Sequence, residues 1–221
     1  MTLITEQELY ANLMQEAKGR FQIIDSILTG KLALYDRFSE EICYLQLRML
    51  CELIAIGCLI AHGSMGIADI ERLTKRYEAD EIIKGLEDLN AEFYPHPVTF
   101  HTTAPSAELP KGHLHLERKT EGFLTKAELI KLYGRSGNYL HRGKLKKLRA
   151  TETHRKMDRA DVLKWTNKIV TLLDTHHIAS FDNHQHWIVS MNDKSAGGLP
   201  TVALARSPEV QAEIRKLDPQ G

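Results

Sequence analysis

The strongest chemical signal in this 221-residue sequence is a basic stretch that runs from Lys131 to Lys156. It contains nine lysine and arginine residues against the single acid Glu152, a net charge of +8. The whole chain has 29 basic and 29 acidic residues, so the remainder of the molecule is acidic. A cationic stripe of this kind can neutralise several phosphates of a nucleic acid. The alternative is a solvated loop whose positive charge is balanced by acidic residues elsewhere, in this chain or in a partner copy.

Two side chains within this stretch could perform acid–base chemistry. Arg135 is followed six positions later by His141. An imidazole transfers protons near neutral pH, and a guanidinium is a permanent, forked cation that stabilises negative charge. Both tyrosines of this region, Tyr133 and Tyr139, are predicted to be available for stacking on unpaired bases. The candidate RNA-binding residues are Asn138, Tyr139, Arg142, Lys144, Lys146, Lys147 and Arg149.

This Arg-x5-His spacing resembles the Arg-x4-6-His signature of HEPN domains, the higher eukaryotes and prokaryotes nucleotide-binding family. The resemblance implies a helical bundle over about residues 5 to 177, often assembled as a homodimer in which two motifs face one cleft. It implies an RNA-directed protein, such as a metal-independent ribonuclease of a toxin or antiviral defence system, with an antitoxin or defence protein as partner. Arg135 and His141 would be its catalytic pair, with no cofactor. Other relatives have lost catalysis and serve as dimerisation or protein-interaction modules.

The residues around Arg135 depart from a regular helical site. Gly134 and Gly137 weaken any helix through the arginine, so the helix that begins after Thr125 is expected to end near Gly134. Six residues along an ideal helix also place Arg135 and His141 on different faces. A turn, or pairing between two subunits, would be needed to bring them together. His141 could instead be a helix-capping or core residue.

Acidic residues and histidines elsewhere in the chain supply further candidates. Arg48 and Glu52 are four residues apart on an apolar helix and could form an internal ion pair or line the cleft, with Glu40 and Glu41 as additional acids. Two His-x-His patterns could each give two ligands to zinc if they lie on strands. These patterns are His113 with His115, and His184 with His186; a third ligand would have to come from elsewhere in the chain, for instance Asp182. Two ligands do not make a site, so no metal is predicted.

Hydrophobic periodicity predicts a mainly α fold, a helical bundle with a small C-terminal β-hairpin or meander. Capping boxes at Thr5 and Thr125 and an aspartate cap at Asp158 begin three of the helices, and a fourth starts at Asp36 or Ser39 and ends near His62. Residues 67 to 93 fit one bent helix or two short ones, with Asp80 capping the break. The predicted divisions are a bundle over 1–177 with a long insertion at about 94–121 that could hold a hairpin, a β element over 178–206, and a tail over 207–221.

Composition bears on the cellular setting as well. Cys43, Cys51 and Cys58 recur at helical spacing without a CxxC pair, which favours reduced, buried thiols. The polar, acidic N-terminus does not resemble a secretory signal. Gln46, Arg48 and Glu52 interrupt the most apolar stretch, so it is predicted to be a core helix rather than a membrane span. We therefore expect a cytoplasmic protein with no membrane partner.

Overall fold

Five α-helices and one antiparallel sheet make up the described part of the chain. The computed structural model describes residues 4–63, 72–103, 113–140, 156–180 and 185–206. The helices are α1 (Glu6–Leu28), α2 (Asp36–Gly63), α3 (Ala79–Leu89), α4 (Lys126–Leu140) and α5 (Arg159–Leu173). The strands are β1 (His96–Thr103), β2 (His113–Arg118), β3 (Thr175–Ala179), β4 (Gln185–Asp193) and β5 (Leu199–Arg206). The prediction of a mainly α fold is confirmed.

The helix starts follow the capping patterns of the sequence. Thr5 accepts a hydrogen bond from the Glu8 amide at 3.2 Å, and the Glu8 carboxylate accepts one from the Thr5 amide at 2.8 Å. Thr125 and Glu128 repeat this arrangement ahead of α4. Asp158 caps α5 by accepting from the Asp161 amide at 3.0 Å. Each of these contacts satisfies a backbone N–H that has no partner within its helix, and the predicted caps Thr5, Thr125 and Asp158 are confirmed.

The central element is α2, which is buried on most of its circumference. It packs against α1, α3, α4 and α5, and its three cysteines are free and buried, as predicted. By length and composition it could cross a membrane, but 67% of its most apolar window is buried inside the protein. That burial is consistent with the core helix of a soluble protein.

The segment before β1 differs in detail from its prediction. Arg72 and Leu73 are helical, the chain then turns, and α3 begins at Ala79, so the segment is not one continuous helix. The N-cap is Glu78 and not Asp80, which lies in the first turn of α3. Asp80 instead pairs with Lys84 one turn along. Residues 64–71 lie outside the described residues.

Two predicted helix ends are wrong. The helix predicted to stop near Gly134 continues to Leu140, because tertiary contacts on both sides of Gly137 hold it: Ser136 is buried and Tyr139 is stacked on a neighbouring ring. The last helix ends at Leu173 and not near His177, since the two histidines 176 and 177 already belong to β3.

The five strands form a single sheet in the order β2-β1-β3-β4-β5. The hairpin expected in the long insertion is present as β1 and β2, and β3 to β5 form the expected C-terminal meander. The two parts join through only two residue pairs, His96 with His177 and Pro97 with His176. The sequence predicts the insertion and the C-terminal strands as separate regions, whereas in the structure they form one sheet. Pairing between positions about 80 residues apart leaves no local signature.

Candidate functional site

The predicted site residues fall into two groups. Arg135, Asn138 and Tyr139 lie on the last two turns of α4. The remaining candidates, namely His141, Arg142, Lys144, Lys146, Lys147 and Arg149, lie in 141–155, outside the described residues. His141 directly follows the last described residue of α4. The convergence of Arg135 and His141 therefore stays a prediction, and only the contacts of Arg135 with described residues can be given.

Arg135 is held by an acid from the facing helix. Its Nη2 atom lies 2.8 Å from Oδ2 of Asp161, in the first turn of α5, and donates a hydrogen bond to the Tyr139 hydroxyl at 3.2 Å. The hydrogen bond to Tyr139 raises the pKa of Arg135, and the nearby Asp161 adds to the effect. Its side chain remains 35% exposed, so the guanidinium is oriented but open to solvent.

A pair of stacked tyrosines supports this arrangement. Tyr44 of α2 and Tyr139 of α4 stack with their ring centroids 3.6 Å apart and their planes within 5°. The Tyr44 hydroxyl donates to the same Asp161 oxygen that pairs with Arg135. Burial raises the pKa of Tyr44, and the bond to Asp161 raises it further. Asp161 and Tyr44 were not among the predicted site residues, because only the packing of α2 against α4 and α5 brings them to Arg135.

Neither predicted base-stacking tyrosine has both ring faces free. Tyr133 is buried, and the Arg48 guanidinium lies 3.8 Å from its ring centroid. The prediction that Tyr133 is available for stacking on a base is therefore wrong. Tyr139 is partly buried and has one face on Tyr44. Asn138, by contrast, is exposed.

Arg48 links α2 to the middle of α4. Its Nε lies 3.4 Å from Oε1 of Glu52, and its Nη2 donates to the Tyr133 hydroxyl. The predicted Arg48–Glu52 ion pair is present within α2, and it is Arg48 that joins this helix to α4; a role of the pair in lining a cleft stays a prediction. Glu40 is buried and Glu41 pairs with Arg37 at 3.0 Å.

No family model, curated protein or solved structure matches the chain. The functional interpretation therefore rests on the geometry where α2, α4 and α5 meet, together with the Arg-x5-His spacing.

The histidines form a pair that the sequence pattern did not indicate. Nε2 of His177 on β3 lies 3.0 Å from Nδ1 of His186 on β4, and burial lowers the pKa of His177 to about 4. His184 and the side chains of His113 and His115 lie outside the described residues. In the parts of the chain that are described, no three His, Cys, Asp or Glu side chains come together in a group that could hold a metal ion.

The chemical capacity of the site is that of an oriented cation. A carboxylate fixes one nitrogen of Arg135, and the neighbouring aromatic rings restrict its movement, which lowers the entropy lost when an anion binds. Among the described residues, both polar contacts of Arg135 use Nη2. With respect to those residues, Nε and Nη1 are available to donate to an oxyanion such as a phosphate.

Proposed function

We propose that this chain is an RNA-directed protein whose helices form a HEPN-like bundle, and that it acts as a metal-independent ribonuclease of a toxin or antiviral defence system. One observation carries the proposal: Arg135 is oriented by Asp161 and Tyr139, is one-third exposed, and lies six positions before His141.

In the proposed reaction, RNA is cleaved by its own 2′-hydroxyl. His141 accepts the proton of that hydroxyl while the hydroxyl oxygen attacks the adjacent phosphorus. The bond from phosphorus to the 5′-oxygen then breaks, and the leaving oxygen takes up a proton from water, so that the products are a 2′,3′-cyclic phosphate and a 5′-hydroxyl. Arg135 stabilises the additional negative charge on the phosphorane-like transition state through Nε and Nη1. Asp161 acts on Arg135 and not on the substrate, so it is a positioning residue. Asn138, exposed on the next turn, is proposed to orient the phosphate.

The basic residues after α4 are proposed to hold the RNA backbone. Lys144, Lys146, Lys147, Arg142 and Arg149 supply charge without reading sequence. We propose that the working form is a homodimer in the cytoplasm, with an antitoxin or defence protein as a further partner. If these lysines bind phosphates, replacing all three by alanine should weaken RNA binding and make it less sensitive to salt. The log–log slope should fall by about one unit for each phosphate that is no longer neutralised.

Cleavage of labelled single-stranded RNA in the presence of EDTA tests the enzyme proposal. His141→Ala and Arg135→Ala should each lower the cleavage rate by roughly 100-fold or more, since general acid–base catalysis and charge stabilisation typically contribute that much. The matched control is Lys164→Ala, an exposed cation on α5 outside the basic stretch, which should retain the rate. Equal cleavage by wild type and His141→Ala, or cleavage by none of the proteins, would contradict the proposal.

A noncatalytic dimerisation or protein-interaction module is the second candidate. The observation that favours it is that two tyrosine rings already pack against side chains of the same chain. Tyr133 lies under Arg48, and Tyr139 is stacked on Tyr44. In that case, Arg135 and Asp161 are a structural ion pair between helices. Absence of both cleavage and salt-dependent RNA binding would favour this module.

A further inference from the structure

Three histidines form a row across the junction between the two parts of the sheet. His96 on β1 is the register partner of His177 on β3, and Nε2 of His177 lies 3.0 Å from Nδ1 of His186 on β4. Residues paired across antiparallel strands point to the same face, so all three rings share one face of the sheet. His176, the neighbour of His177, points to the opposite face, where it bonds to Tyr10 of α1. The histidine row therefore lies on the face that α1 does not cover.

The charged groups around the histidine row are mostly cations. Nη1 of Arg118, at the end of β2, lies 3.4 Å from Oε2 of Glu92, and the same oxygen lies 3.3 Å from Nε2 of His96. The charge of Lys126, at the start of α4, also acts on His96. At the other end of the row, the β5 partner is the uncharged Ala205. In this described neighbourhood, a further proton on the row meets two permanent cations and one carboxylate that already has two partners.

The contact between His177 and His186 depends on at least one neutral ring. One ring nitrogen must donate and the other must accept, so the bond can survive one additional proton but not two. His177 is only 8% exposed. Burial lowers the pKa of His177 to about 4 from the ordinary 6.5, with contributions from His186 and Arg118. The folded protein thus keeps His177 neutral by keeping water away from its ring.

Separation of β1 from β3 is the least costly way to bring water to His177. Within the described strands, β1 and β3 pair at two positions, whereas β3 and β4 pair at five. Fewer contacts therefore have to be broken on the β1 side. Opening there also removes His96 from beside His177 and leaves the ladders between β3, β4 and β5 intact. Because a hydrated imidazole binds protons more tightly than a buried one, acid favours the open form.

We propose that the hairpin of β1 and β2 is an acid-released flap: protons taken up by the histidine row separate β1 from β3, while β3, β4 and β5 stay paired. When opening returns the pKa of His177 from about 4 to 6.5, the open population increases about 30-fold between pH 7.5 and pH 5. Hairpin release follows from these contacts and not from the ribonuclease proposal, so each can fail without the other.

Hydrogen exchange of the full chain tests the release, measured by mass spectrometry at about pH 7.5 and pH 5 and corrected for the intrinsic exchange rate at each pH. In the wild type, the opening constant of peptides covering β1 and β2 should rise about 30-fold on acidification. His177→Gln has a polar side chain that takes up no proton, and it should reduce this rise to about threefold or less. The matched control is His176→Gln, on the other face of β3, which should retain the full rise.

The two variants also separate hairpin release from unfolding of the whole protein. If the hairpin exchanged only through global unfolding, both variants would show a smaller rise than the wild type, because each lacks one buried histidine. That result would overturn the proposal, as would an equal rise in the wild type and His177→Gln, or no rise in the wild type.

Circular dichroism confirms folding of the variants, and if His177→Gln does not fold, NMR of the wild type replaces it. The His177 ring should then take up its proton together with the loss of contacts between β1 and β3. A protonated His177 ring with β1 and β3 still paired would overturn the proposal.

Discussion

Four buried tyrosines determine where polar groups are placed in this protein. The hydroxyl of Tyr44 reaches Asp161, that of Tyr10 reaches His176, that of Tyr94 donates to the Leu124 carbonyl, and that of Tyr133 accepts from Arg48. A phenol combines a large apolar surface with one group that needs a hydrogen-bond partner when it is buried. Each hydroxyl therefore fixes its partner as well as its own ring. For Arg135 the consequence is indirect, because Tyr44 fixes the carboxylate that in turn holds the guanidinium.

The buried histidine His176 gives the protein an acid-sensitive contribution to stability. Burial lowers its pKa to about 4 from the ordinary 6.5. Nδ1 donates to the Leu173 carbonyl at 3.0 Å, so Nε2 accepts from Tyr10 at 2.7 Å. Between these two pKa values the unfolded chain binds more protons than the folded one. The contribution is complete above pH 6.5 and is lost as the pH falls toward 4.

Urea unfolding at several pH values measures this effect. The free energy of unfolding should fall by up to about 3 kcal/mol from His176 as the pH falls from 7 to 4. His177, whose pKa burial also lowers to about 4, adds to the loss. His176→Gln should be less stable at pH 7 but should have a flatter pH profile. Parallel profiles for the two proteins would contradict the assignment.

At the scale of elements, the packing around a helical glycine determines whether its replacement by alanine stabilises or destabilises the protein. Gly19 lies within α1, where a glycine favours an interruption, yet the helix continues to Leu28. A Cβ at Gly19 would meet nothing within 4 Å. At Gly57 in α2, a Cβ would lie 3.0 Å from Cε2 of Tyr10, and that ring is held by its bond to His176. The same substitution is therefore expected to have opposite signs at the two positions.

Thermal and urea unfolding of Gly19→Ala and Gly57→Ala test this expectation. Gly19→Ala should stabilise the protein by about 0.5 to 1 kcal/mol, because alanine loses less backbone entropy in a helix. Gly57→Ala should destabilise it by roughly 1 to 3 kcal/mol through overpacking against Tyr10. Each variant is the other's control, since both replace a glycine inside a helix. Effects of the same sign would show that tertiary packing does not distinguish these sites.

At the scale of the whole molecule, the sheet is held together unevenly. The β1–β2 hairpin meets the C-terminal strands through two residue pairs, whereas β4 and β5 pair at seven positions and β5 also packs against α1. Local opening follows the weakest junction, because few hydrogen bonds and contacts must be broken there. We expect the hairpin to open as a unit while the other three strands remain closed.

Hydrogen exchange measured by mass spectrometry can follow this opening. Peptides covering β2 should exchange at least roughly tenfold faster than peptides covering β4, which corresponds to a local opening free energy below the global value. The peptide covering β5 is the control, since it is an edge strand like β2 but belongs to the well-paired side. Equal protection of β2 and β5 would show that the sheet opens only with the whole fold.

The sequence by itself determined where the helices lie, the three caps at Thr5, Thr125 and Asp158, and the apolar core helix. These features are local: Thr5 and Glu8 are one turn apart, and the buried stripe of α5 repeats every three or four residues. The β-hairpin in the insertion and the C-terminal strands were also recognisable from alternation and turn residues. The basic stretch and the Arg-x5-His spacing are likewise visible without coordinates.

Tertiary structure alone decided which elements meet. The continuation of α4 through two glycines depends on Tyr139 stacking on Tyr44, 95 residues away in the sequence. The acid that holds Arg135 comes from the following helix, and the two β regions join through His96 and His177. These contacts are long-range. The hydrophobic periodicity of a segment does not indicate which distant segment it will contact. Propensity and spacing therefore specify the elements of this protein, while burial and the pairing of charges specify its candidate site.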